Sequence, residues 1–177
     1  MGTRSYIAKQ IGDDRYLTIS CQLDGYPEEV GATLVKAYST PEKVDALLAL
    51  GDLYCLCEKL APDSGHHDFN APQPGVTVAY QRDDGCSGCE AVVKTFEELS
   101  APNWPLVEYI YIYHPDGQWC YMPTGNPEVW LRNLKDDLET GMIQYSKPLD
   151  LGELMDMEQA DAGLTLNSKL KIQGGKI

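Results

Sequence analysis

Cys86-Ser87-Gly88-Cys89 places two thiols at a spacing that zinc sites and redox dithiols both use. Two thiolates so spaced converge on one tetrahedral ion, and a zinc site then needs two more ligands. Cys55-Leu56-Cys57 and His66-His67 are the nearest supply, and neither repeats the C-x-x-C pattern. A thioredoxin-like pair opens a helix after a strand, whereas this one falls in a turn-rich stretch. Cys86 and Cys89 are thus weak metal candidates, the plainer reading is small buried or half-exposed thiols, and no cofactor is expected.

The acids come in pairs: Asp13-Asp14, Glu28-Glu29, Asp83-Asp84 and Asp136-Asp137. Converging carboxylates would hold Mg²⁺ for phosphodiester or nucleotide hydrolysis. Taken separately they are turn residues or solvated helix faces. The three histidines are His66, His67 and His114. No G-x-S-x-G elbow and no phosphate-cradling P-loop is present. A Cys–His catalytic pair is spatial rather than sequential, so the sequence leaves it open.

Tyr109-Ile110-Tyr111-Ile112-Tyr113 alternates as a strand, with Tyr109, Tyr111 and Tyr113 on one face. Such a row is either core or a recognition surface, since tyrosine gives contact area at low entropic cost. As a surface it could also stack nucleobases, with Arg4, Arg15 or Arg82 holding phosphate.

The chain has 177 residues, with 27 Asp and Glu against 14 Lys and Arg, a net charge of −13. That length suits one domain with a tail, and a hydrophobic share of 43% suffices for a core. The acidity argues against direct DNA binding and against anionic membranes. No secretory h-region follows Met1, and no apolar run reaches the ~18 residues of a membrane span. The expected compartment is the cytoplasm of a host cell, with the six cysteines reduced.

The elements that would position these residues read as follows. Ser5–Gln10 and Arg15–Leu23 form a hairpin about Ile11-Gly12-Asp13-Asp14. A helix enters at Pro27 and places Val30, Leu34 and Tyr38 on one face, with Gly31 marking a close contact. A second is capped by Thr40, starts at Pro41 and stops at Gly51. Residues 53–60 continue as a short helix, and Ala61 to Gly75 is a loop. Val76–Gln81 is a strand and Thr95–Leu99 a helical turn. Val107–Met122 is a hairpin with Asp116-Gly117 as a two-residue turn, so that Tyr113 opposes Cys120. Asn126 caps a third helix bearing Trp130, Leu131, Leu134 and Leu138. Met142–Tyr145 is one more short strand. The expected fold class is α+β: an antiparallel sheet of hairpins packed by about three helices. Residues 1–146 form the domain, and residues 147–177 a loosely packed acidic arm.

Gly2-Thr3-Arg4-Ser5, Asp24-Gly25-Tyr26-Pro27-Glu28, Leu50-Gly51-Asp52 and Ala79-Tyr80-x-Arg82-Asp83 carry a likeness. Over roughly residues 2–83 the chain resembles a family of small phage and prophage proteins with a G-T-R-S start and a D-G-Y-P-E block. The resemblance implies a mobile-element accessory protein and supplies no catalytic residues. The expectation is a non-enzymatic inhibitor of a host defence system, anti-CRISPR or anti-restriction. It would bind a basic groove of an effector through its acidic pairs, the Asp150–Asp161 arm and the tyrosine row. The alternatives are a nucleotide-binding or nucleotide- or RNA-cleaving counter-defence protein, and a small acidic protein of structural role. The expected partner is a host protein, such as a nucleic-acid-binding defence effector; a homo-oligomer is compatible with the sequence.

Overall fold

The structure is a computed structural model and describes residues 2–101, 107–124 and 130–145. The expected arm at 147–177 and the expected cap Asn126 lie outside the described residues. β1 (Ser5–Gly12) and β2 (Arg15–Cys21) form the first hairpin, with Asp14 at φ 50° in its turn. Asp tolerates that left-handed backbone better than most residues.

A π-helical turn (Pro27–Gly31) runs into α1 (Ala32–Ala37), burying Val30, Leu34 and Tyr38 on one face. A Cβ on Gly31 would lie 3.1 Å from Leu134 and 3.2 Å from Tyr111, so this position is a close approach. α2 (Pro41–Leu48) starts as expected: Thr40 accepts from the Lys43 amide and Pro41 fills the first turn. Residues 53–60 do not continue as a helix. Gly51, at φ 72°, turns the chain into β3 (Leu53–Cys55), which pairs with β2 and with β4 (Val78–Ala79).

α3 (Tyr80–Asp84) ends at Gly85, and β5 (Val92–Lys94) pairs with β2. α4 (Phe96–Ser100) carries a reciprocal capping box between Thr95 and Glu98. β6 (Tyr109–Tyr113) and β7 (Trp119–Pro123) form the second hairpin. β8 (Arg132–Asn133) leads into α5 (Leu134–Thr140), capped by Asn133. The third expected helix therefore starts later than the sequence suggested, and Trp130 is 80% exposed instead of lying on its apolar face. Met142–Tyr145 is not a strand.

The class is α+β, but the sheet is mixed rather than antiparallel. Its order is β4-β3-β2-β1-β6-β7-β8, with β5 beside β2. The β1–β6 and β2–β3 pairs are parallel. Hairpin reasoning reaches only neighbours in sequence; β6 returns beside β1 after the helices, which no local signal encodes.

The second hairpin also corrects a register. Tyr113 opposes Trp119, and Tyr111 opposes Tyr121. His114 and Gln118 close a loop of Pro115, Asp116 and Gly117, with Gly117 at φ 83°. This three-residue loop has one residue more than a two-residue turn, and a one-residue slip moves side chains to the opposite face. Trp119 and Tyr121 thereby join Tyr109, Tyr111 and Tyr113. That face, with Ile7 and Ile19, packs against Leu34, Val44, Leu47 and Leu134 of the helices. The opposite face, including Ala8, Ile110, Ile112 and Met122, packs on Leu99 and Phe96 of the α4 segment. Each of the fully buried Leu, Ile and Val side chains among them stabilises the fold by about 1.5–3 kcal/mol.

Candidate functional site

Tyr109, Tyr111 and Tyr113 are 0%, 0% and 2% exposed, which corrects the reading of a partner-facing row. Helices cover that face, and two of the ring hydroxyls reach backbone carbonyls. Tyr111 donates to Gly25 O at 2.7 Å and Tyr113 to Ser39 O at 3.5 Å. Burial, then the neighbouring Tyr109 and Glu28, pushes the Tyr111 hydroxyl well above its ordinary pKa. So placed, the row cannot stack nucleobases.

The acid pairs on α3 and α5 separate by depth. Successive helical residues point about 100° apart, so in each of these two doublets one member turns inward. Asp84 and Asp136 are exposed, while Asp83 and Asp137 are buried. Asp83 and Asp137 are therefore not docking acids, a second correction.

Arg82 Nε lies 2.6 Å from Asp83 Oδ1, and Asp83 Oδ2 accepts the Ala79 amide at 2.8 Å. The Arg82 guanidinium continues to Thr77 O at 2.6 Å and to Leu60 O. His67, also buried, accepts the Gln73 amide on Nε2 at 3.0 Å. Its proton is then on Nδ1, which donates to Asp83 Oδ2 at 3.1 Å. Burial raises the Asp83 pKa, but the Arg82, Ala79 and His67 hydrogen bonds outweigh it and hold the carboxyl below its usual range. Asp and His here resemble half of a catalytic relay, yet both imidazole nitrogens are spent on the fold. The cluster fastens the 59–77 loop to the sheet edge. His66 is exposed, and His114 Nδ1 bonds Gln10 Oε1 at 2.9 Å.

Asp137 is the second anchor. Arg132 grips it at 2.6 and 2.8 Å, and Tyr121 OH donates to it at 2.7 Å. Arg132 first, then Tyr121, hold its carboxyl below the ordinary value against the opposing effect of burial.

Asp13, Asp14, Glu28, Glu29, Asp84 and Asp136 are exposed and join no ion pair among the described residues. Asp14 also accepts the Phe96 amide at 2.7 Å, and Glu28 accepts from Tyr145 OH. They do not form one patch. Gly25 donates to Thr3 O, so Glu28 and Glu29 follow a segment moored at the start of β1, whereas Asp13 and Asp14 follow its end. An eight-residue strand spans about 25 Å.

Cys86 and Cys89 meet each other, with Sγ atoms 2.7 Å apart. Cys55 lies beside Cys57, whose thiol burial pushes up to about 11. Among the described residues, no three His, Cys, Asp or Glu side chains are grouped as a metal site would require. Sequence reasoning missed Arg132 and Gln73; their only sequence signal was that a buried Asp and a buried His need partners.

Among the described residues, no helix is long and apolar enough to cross a membrane. Comparison with protein-family models, curated proteins and solved structures found no match.

Proposed function

We propose that this protein is a non-enzymatic binding protein that docks on a basic protein surface through its exposed acids. The target class is a nucleic-acid-binding host-defence effector, of CRISPR or restriction type. The supporting observation is a contrast in how charge is used. The side chains suited to acid–base chemistry, His67, Asp83 and Asp137, are consumed by the fold. Asp13, Glu29, Asp84 and Asp136 remain exposed and unneutralised by any ion pair among the described residues. With a net charge of −13, Coulomb attraction accelerates encounter with a basic groove and weakens with salt.

The test is phage plating on cells carrying single defence systems, with and without the protein. Plating should rise on one system and return to baseline with the combined variant Asp13→Asn, Glu29→Gln, Asp84→Asn and Asp136→Asn. Unchanged plating across CRISPR and restriction systems overturns the target class. Retained inhibition by a folded combined variant overturns the charge mechanism.

A further inference from the structure

Cys86 follows α3 and its Gly85 cap, and Cys89 precedes β5. Two contacts clamp the turn between them. The Cys86 amide donates to Tyr80 O at 3.2 Å, and Cys89 O accepts the Asp52 amide at 2.7 Å. Gly51 packs so closely under Cys89 O that no Cβ fits there. Gly85 and Gly88 both adopt positive φ, at 67° and 78°, and these bend the chain back so that the two sulfurs meet. The intervening Ser87 and Gly88 are exposed, so a small reagent reaches the pair. Cys21, by contrast, is fully buried.

The geometry points to Cys86 and Cys89 as a reversible dithiol–disulfide site, oxidised by a small disulfide of the glutathione disulfide class. The Cys86 thiolate attacks the oxidant's S–S bond, forming a mixed disulfide and releasing one small thiol. The Cys89 thiolate then attacks Cys86 Sγ, forming the intramolecular bond and releasing the second small thiol. Two electrons pass from the protein to the oxidant. The two protons of the cysteine thiols end on the two released thiols. Closure needs little backbone movement, because the sulfurs are already 2.7 Å apart and both ends of the turn are held. The hydrogen bond to Cys86, then burial and the charges of Cys86, Asp52 and Glu90, push the Cys89 thiol up to about 11.

The test uses the full chain, reduced, desalted and equilibrated in buffers of graded reduced-to-oxidised glutathione. After acid quench and alkylation, trypsin releases residues 83–94, a peptide whose only cysteines are Cys86 and Cys89. The expected result is conversion of most of this peptide to a form two hydrogens lighter, reversed by excess reduced glutathione. Cys86→Ser and Cys89→Ser should each yield the peptide with one bound glutathione instead. Three results each overturn the assignment: alkylated thiols persisting in fully oxidised buffer, two glutathiones on one peptide, or a cross-link to the peptide bearing Cys55 and Cys57.

Discussion

The molecule has two arginine–aspartate anchors, each a buried carboxylate held by a half-buried guanidinium, and they fasten different things. At Asp83 the carboxylate takes a guanidinium, a backbone amide and an imidazole, while Arg82 reaches on to two carbonyls. Three stretches of chain, at Leu60, at His67 and from Thr77 to Asp83, therefore depend on one charge pair. At Asp137 the carboxylate takes Arg132 and a tyrosine hydroxyl, and the pair joins one helix to the β7–β8 edge. Where regular structure is sparse, as between β3 and β4, these polar contacts act beside the packing of Phe69 on Tyr54 and Tyr80. Removing a buried carboxylate leaves its donors without their acceptor, so the anchor with more dependants should lose more.

The largest expected effect is Asp83→Asn, at about 3 kcal/mol of unfolding free energy by urea titration. Asp137→Asn should cost about 2 kcal/mol, because fewer donors are orphaned. Equal losses at the two sites would break the comparison.

Acid should act on both anchors. Each carboxyl has its folded pKa held below the unfolded value near 4. Their stabilisation is therefore complete above about pH 4 and is lost as pH falls through the lowered folded pKa values. Thermal melts from pH 5 downward should show this, with a shallower acid decline in Asp83→Asn than in the parent. A parallel decline would remove Asp83 from the account.

Tyr121→Phe comes next, at about 1 kcal/mol, since Asp137 keeps Arg132 while the Gln144 amide loses its acceptor. A cost above that of Asp137→Asn would show that the hydroxyl, not the guanidinium, dominates the second anchor. Asp13→Asn, in an exposed turn, should stay within about 0.5 kcal/mol by the same titration. A larger change would mean that the exposed acids serve the fold.

Much of the local structure was legible. Thr40-Pro41 opens α2, Val30, Leu34 and Tyr38 share a face, and Gly31 is a close contact because these signals act within a few residues. The register of β6 and β7 was not, because it turned on whether Pro115 belonged to the loop. The anchors were hidden for another reason. Asp83-Asp84 and Asp136-Asp137 look alike on paper, and only the packing of α3 and α5 decides which acid turns inward. The parallel β1–β6 pair was illegible because its partners lie about a hundred positions apart.

That pairing bears on synthesis. β1 is an interior strand whose second neighbour, β6, begins only at Tyr109. On the ribosome, the first hairpin waits with one side of β1 bare until most of the domain has been translated. Such an edge templates association between nascent chains, and contacts of long sequence separation form slowly. A product truncated before residue 109 should therefore be a preferred chaperone and protease client, however well its own helices form.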